Sequence, residues 1–440
     1  MTTKIQRVLN FRTIYPGWWI VMAGFFALFI SGGATGFAFS VLLQPMERDL
    51  GWSRSTLVGA LTVANLVGGL VGAFAGPFVD RYGARMFMVW GAIIDGLALA
   101  LVSLSRSPWQ YYIALGLGAG ITRSFLSGLA PRAAIANWFV KKRPTAFAIF
   151  TTGSAISGIV LVPITAWIVQ GWGWQAAWIF MGVALWVLVA PLSWLFVRRR
   201  PEDMGLLPDG EGKISSSSPL SGSAPQPKPL AEEPAWTSKQ VLGTKAFWLL
   251  ALGFVLTSLP ASSIFIHMVP YFSDKGFSPT LAPLVFSIYG WGVLGGRAVW
   301  GYTIAHLGIH RALITYGVNY GICIAIFTTA SSPWMIVAAT ILLGLATGGG
   351  QQLQGQAWPD YFGRRIVGAI TGYSQVLVTP SWAGAPLLAA FVFDATRSYS
   401  SVFLSFAVAC WLASLFFLLA GRPGATKPKV LAQQQKPATA

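Results

Sequence analysis

Asp49-Leu50-Gly51-Trp52-Ser53 and Asp274-Lys275-Gly276-Phe277-Ser278 stand 225 positions apart and spell one turn twice. The same offset carries Gly76, Gly83 and Arg85 onto Gly301, Gly308 and His310. At an offset of 223, Trp138-Phe139 followed by Lys142 returns as Tyr361-Phe362 followed by Arg365. One such match is within chance. Three at nearly constant spacing, each in the same gap between apolar runs, mean a duplicated unit.

The runs themselves are of membrane-crossing length, about 20 residues for ~30 Å of hydrocarbon. Twelve are expected, over 17–43, 55–79, 86–105, 109–137, 145–170, 174–197, 246–271, 281–304, 311–330, 333–357, 366–393 and 399–421. The repeat therefore predicts an all-α membrane protein of twelve transmembrane helices in two pseudo-symmetric six-helix bundles. Parallel repeats of this kind are a transporter plan, with substrate near the midplane between them. The first run is too long for a cleaved leader and stays as a helix. The halves are expected over 1–200 and 244–421. Between them lies a flexible linker, 201–243, rich in Ser, Pro and charge, and a tail follows at 422–440.

Composition agrees. The 440 residues are 55% hydrophobic and only 10% charged, with a mean hydropathy of +0.62, where a soluble domain carries about 25% charge. The net charge of +17 does not point to nucleic acid, because the basic residues stand singly between apolar spans. It is a topology signal. By alternating sides, the face holding the N-terminus carries 22 Lys and Arg and the other face five, namely Arg48, Arg54, Arg106, Lys275 and Arg397. Positive loops stay in the cytoplasm, so both termini are expected there, in a bacterial inner membrane. Cys323 and Cys410 both sit in apolar runs, so neither a disulfide nor a metal site is implied. No nucleophile and base pair, phosphate loop or Walker element appears, which argues against an enzyme or an ATP-driven pump and against any bound cofactor.

Gly76-Pro77-Phe78-Val79-Asp80-Arg81-Tyr82-Gly83-Ala84-Arg85, between the second and third spans, resembles the signature loop of the major facilitator superfamily. Trp138-Phe139-Val140-Lys141-Lys142-Arg143, Arg200-Pro201-Glu202-Asp203-Met204-Gly205-Leu206, His267-Met268-Val269-Pro270-Tyr271 and Tyr361-Phe362-Gly363-Arg364-Arg365 resemble its monocarboxylate porter and oxalate/formate antiporter branch. The resemblance implies a conformational latch at Asp80, Arg81, Gly83 and Arg85 that favours the outward-facing state. In the second half Ala305 and His306 replace Asp80 and Arg81, so the latch is asymmetric.

Chemistry must come from the few polar groups at membrane depth, since each costs about 2.5–3.5 kcal/mol to insert. Arg297 lies 16 residues into the eighth span, about 24 Å along the helix. The resemblance gives this position the arginine that holds a substrate carboxylate, a task suited to the planar guanidinium fork. Val293, Leu294, Trp300 and Gly301 flank it at one turn, so its own helix offers no acid. An anion, or an acid on another helix, must compensate it. Arg123, at similar depth in the fourth span, either faces the cavity as a second cation or pairs with Asp95, the only carboxylate deep in a span. Arg132, nearer the cytoplasm, is expected in a loop or gate. The branch pattern breaks at Val293, where monocarboxylate porters carry a carboxylate, and in the absence of a lysine from the first and eleventh spans.

Asn65, Gln351, Gln352, Ser263 and Tyr373 are further cavity candidates or else helix-helix hydrogen-bonding residues. Asp95 and His267 are candidates for proton coupling, or in the histidine's case a plain helix-end residue. The reading that follows is a secondary transporter of small organic anions, mono- or dicarboxylates, working in the lipid bilayer by alternating access as a monomer, with protons as a candidate co-substrate. The alternative is an exporter of amphipathic or neutral compounds, favoured by 14% aromatic residues.

Overall fold

The computed structural model describes residues 15–210, 236–363 and 367–421. Most of the expected linker and the whole tail thus lie outside the described residues.

Among the described residues nine helices are long and apolar enough to cross a membrane. Two of the nine turn back on themselves. Thr145–Phe196 reverses at Gly173, φ +83°, and Leu281–Thr329 at Gly308, φ +74°. A helical run over 108–138, partly π-wound, supplies the twelfth crossing. The spans are α1 (Gly17–Leu50), α2 (Arg54–Tyr82), α3 (Ala84–Val102), α4 (108–138), α5 (143–172) and α6 (174–196) in the first half. The second half holds α7 (Lys245–Asp274), α8 (281–307), α9 (309–329), α10 (Pro333–Phe362), α11 (Val367–Thr396) and α12 (Ser400–Leu419).

The duplicated turns superimpose in conformation as well as in sequence. Gly51 and Gly276 have φ of +67° and +90°, and Gly83 and Gly308 have +83° and +74°. Each ends or breaks a helix in a backbone region that a Cβ disfavours, which is why glycine recurs there. Helix starts are capped where the chain re-enters the bilayer: the Ser53 hydroxyl accepts the Thr56 N–H at 3.2 Å and the Thr244 hydroxyl accepts that of Phe247 at 3.2 Å.

Burial divides into two cores, one per half, with Trp138 and Trp178 fully buried in the first and Trp358 in the second. Large side chains such as Leu70, Phe74, Trp167 and Val376 are exposed around the outside, where only lipid would cover them. Within each half, helices approach through glycine. A Cβ on Gly182 of α6 would stand 2.6 Å from the Gly96 carbonyl of α3, and one on Gly344 of α10 would stand 2.6 Å from the Tyr289 carbonyl of α8. Packing, rather than hydrophobic exclusion, drives such contacts in lipid.

The cores exchange members at one end only. Phe37, Val41, Val162 and Ala166 belong to the second-half core, and Ile266 and Ala390 to the first. There α1 packs on α7, α2 on α11 and α5 on α8. This seam lies at the face opposite the linker. On the linker face, the start of the segment expected to be flexible is tied down: the Asp209 carboxylate accepts backbone N–H groups of Val140, Lys141 and Lys142 at 3.1, 2.8 and 3.0 Å. Partial burial pushes its carboxyl up, and the three donors outweigh this to hold it below the usual range.

Candidate functional site

A cavity of about 930 Å³ lies between the halves, walled by α1, α2, α4 and α5 on one side and α7, α8, α10 and α11 on the other. Three arginines reach its wall, Arg123 and Arg132 from α4 and Arg297 from α8. Their situations differ. Arg123 donates to the Asn65 amide oxygen at 2.6 Å, and Asp95 lies within electrostatic reach. Asp95 is itself buried off the cavity wall and accepts the Thr122 hydroxyl at 2.9 Å. Arg297 is half-buried, and among the described residues it makes no hydrogen bond or ion pair. Its backbone is pressed against α10, where a Cβ on Gly348 would stand 3.0 Å from the Arg297 nitrogen.

Of the other expected residues, Asn65, Gln351 and Gln352 line the cavity. Tyr373 does not. It is 39% exposed on the far side of α11, which instead presents Gln375 and Thr379. Ser263 is fully buried away from the wall. The latch carboxylate, Asp80, has a side chain outside the described atoms. Of its neighbours, Arg81 lies 5.5 Å from the Tyr82 ring and Arg85 sits 4.1 Å over Trp194, while Gly83 makes the turn.

The cavity extends toward the linker face as far as Arg132 and Gln354 and is sealed at the opposite end. The seal centres on Arg54, only 3% exposed at the start of α2. Its guanidinium bonds Glu47 at 2.8 Å within its own half and Asp274 of α7 at 2.9 and 3.2 Å across the seam. It donates to the Tyr399 hydroxyl at 2.8 Å and lies 3.8 Å over the Phe393 ring. Beside it, the Asp394 carboxylate accepts the Ser55 N–H at 3.0 Å, again between halves. His267 closes the chain. Its Nε2 faces the Pro386 carbonyl at 2.9 Å and so must carry the hydrogen, while Nδ1 shares a hydrogen bond with the Tyr399 hydroxyl at 2.9 Å. Both imidazole nitrogens are thereby engaged in the seal.

Sequence reasoning counted Arg54 only as a topology charge. The available signal was its place one residue past the repeated Asp-x-Gly-x-Ser turn, where the second copy has Pro279. Of the other cavity residues, Gln375 was one of several polar side chains that the eleventh span offered, Gln354 stood in the same glutamine-rich run as Gln351 and Gln352, and Tyr316 carried no signal.

Two six-helix halves, a largely apolar cavity between them with three arginines on its wall, and an ion-paired seal at one end define a membrane transporter rather than an enzyme. The sequence matches the profile of the Major Facilitator Superfamily over residues 24–327 and 276–440, and the chain belongs to that family. Human monocarboxylate transporter 11 is 24% identical over 88% of this chain and 80% of its own length. The agnestins efflux protein AgnL12 of Paecilomyces divaricatus is 24% identical over 91% and 86%. Among solved structures, a bacterial homologue of the human lysosomal transporter Spinster, in an inward-facing unoccupied conformation, has a TM-score of 0.68 at 15% identity, covering 92% of this chain and 97% of its own. The nucleoside transporter NupG has a TM-score of 0.70 at 11% identity, covering 92% and 100%. At these identities the solved structures speak to the fold alone.

Proposed function

We propose that the protein is a secondary transporter of small organic anions, mono- or dicarboxylates, in which Arg297 holds the substrate carboxylate at the centre of the cavity. The observation that carries this reading is the isolation of Arg297: a guanidinium at membrane depth, facing the cavity, with no acceptor among the described residues. Such a charge is costly to insert and is compensated when a carboxylate binds. The similarity to monocarboxylate transporters supports the same class. Arg123, tied to Asn65 near Asp95, serves as the second cation for a dicarboxylate, and Gln351 supplies a neutral donor nearby.

With the 22-to-5 charge split, the linker face is cytoplasmic, so the conformation described is inward-facing in a bacterial inner membrane. Return to the outward-facing state then brings Asp80, Arg81 and Arg85 together as a latch. Asp95, beside Arg123, is the candidate for proton coupling, while His267 serves the seal. The monomer contains the whole pathway.

Uptake of labelled lactate, benzoate and oxalate into reconstituted vesicles, with and without a pH gradient, tests this. Arg297→Ala removes the charge-assisted pair at a cost on the order of 3–5 kcal/mol, so transport falls below detection. Arg297→Lys keeps charge but loses the fork and retains weak uptake with a raised half-saturation. Normal uptake by Arg297→Ala would instead favour the second reading, an exporter of amphipathic or neutral compounds. That alternative is supported by the aromatic lining of Phe37, Phe265, Tyr289 and Trp382 and by the similarity to an efflux protein.

A further inference from the structure

The tenth span is interrupted in its hydrogen-bond ladder. It runs as Pro333–Thr347, stops, and restarts as Gly350–Phe362, a 13-residue helix ending at the linker face. The interruption falls near the middle of the span, where Gly348 and Gly349 occupy it and Gly350 opens the second piece. The hydrogen-bond ladder ends with the Gly348 N–H on the Gly344 carbonyl at 3.0 Å and resumes with the Leu353 N–H on the Gly349 carbonyl at 2.9 Å. The N–H groups of Gly349, Gly350, Gln351 and Gln352 therefore have no helical acceptor. No side chain caps them either. Of the carbonyls freed by the same break, that of Leu345 is taken by the Trp300 indole at 3.1 Å, so the donors are left in excess.

Those donors are on the cavity wall, where Gly350, Gln351 and Gln352 all line it. Arg297 is on the facing helix at the level of the break, as the contact between Gly348 and its backbone requires. A second, independent feature points to the same spot. Tyr316 of α9 is only 3% exposed, yet it reaches the cavity, and its hydroxyl lies 2.7 Å from the point a Cβ on Gly350 would occupy. Among the described residues that hydroxyl has no hydrogen-bond partner. The hydroxyl opens onto the cavity, and its ring is fixed edge-on against Trp300 at 5.3 Å.

We infer that the break in α10 is the anion seat of the transporter, where a carboxylate is received jointly by Arg297, the uncapped N–H groups at the start of Gly350–Phe362, and the Tyr316 hydroxyl. This rests on the reading of Arg297 given above and adds two donors to it. Half-helix starts accept anionic groups because their free N–H groups and positive dipole end converge on one point. The seat explains the third of the three glycines, and close packing against α8 the first two. A side chain at Gly349 would collide with Trp300, and one at Gly350 would fill the space between donors and phenol. It also assigns specificity: a carboxylate brings the negative charge that the Arg297 guanidinium pairs with, and an amide of the same shape does not.

The test measures stabilisation of the purified protein in detergent by benzoate, by lactate and by the uncharged isostere benzamide, read as the concentration giving half the maximal shift in melting temperature. Benzoate or lactate stabilises the unaltered protein and benzamide does not. Tyr316→Phe keeps the ring and raises the half-saturating concentration about ten- to a hundredfold, as expected for loss of one bond to a charged group. Gly350→Ala does the same by steric obstruction. Without ligand Tyr316→Phe melts no lower than the unaltered protein, since it loses only a hydroxyl that has no partner among the described residues, which separates seat from scaffold. If Arg297→Ala abolishes the response while Tyr316→Phe and Gly350→Ala leave it unchanged, the seat is overturned and the role of Arg297 stands. If Arg297→Ala responds normally, or no carboxylate stabilises the unaltered protein, the carboxylate reading itself is overturned.

Discussion

Replacing Arg54 with glutamine opens the sealed end. Arg54 holds Glu47 within its own half, and that bond travels with it, so it does not count toward the seal. What separation of the halves would break is the paired contact with Asp274 at 2.9 Å, the Tyr399 bond at 2.8 Å and the stack on Phe393 at 3.8 Å. Breaking a fully buried pair costs about 3–5 kcal/mol. Asp274 keeps 31% of its side-chain exposure, which brings the expected shift down to about 1.5–3 kcal/mol, roughly ten- to 150-fold in the conformational equilibrium. The reporter is Val269→Cys. That site is 5% exposed, and its amide donates to the Ser40 hydroxyl across the seam at 3.1 Å. The native Cys323 and Cys410 are both buried and give little background. A membrane-impermeant maleimide applied from the sealed side labels Val269→Cys at least tenfold faster when Arg54→Gln is present. Asp274→Asn reproduces most of the effect, and the double variant adds little, because the two act through one contact. Unchanged labelling in both single variants would refute the assignment of the seal.

Reporter fusions placed after Gly210 and at the C-terminus both register cytoplasm, and a periplasmic signal at either would contradict the orientation drawn from the basic residues. Gly344→Val forces α10 away from α8, since its first side-chain atom alone would lie 2.6 Å from the Tyr289 carbonyl. The expected result is lower yield of folded protein and a melting temperature reduced by several degrees, whereas Gly355→Val, with nothing within 4 Å, melts as the unaltered protein does.

The duplication made the fold legible in the sequence. Gly83 and Gly308 announce the same turn because only that backbone shape brings consecutive helices back across the bilayer, and apolar length does the rest. Arg297 and Arg123 stood out for a related reason: charge is so rare at depth that each instance asks for a partner. What stayed hidden was contact between elements remote in sequence. Arg54 and Asp274 read as loop charges, and only folding brings the starts of α2 and the end of α7 together. Tyr373 was misplaced by one helical face, since the α11 sequence offers polar side chains on more than one side and the wall takes Gln375 instead. The pause in α10 was visible as three glycines, but glycine in a membrane helix more often marks close packing, and both uses occur here.

The one-sided seal also has a consequence for apparent affinity. A site that is open to the linker face and shut on the other by about 2 kcal/mol is available from the shut side in only about one molecule in thirty. A solute arriving there must bind that minor population, so its apparent affinity falls by the same factor even though the cavity residues are identical. The solute concentration that half-fills the site from the shut side would therefore be about thirty times that from the linker side. Such a carrier rectifies: it saturates readily from the linker side, and the single arginine at the start of α2 sets how strongly.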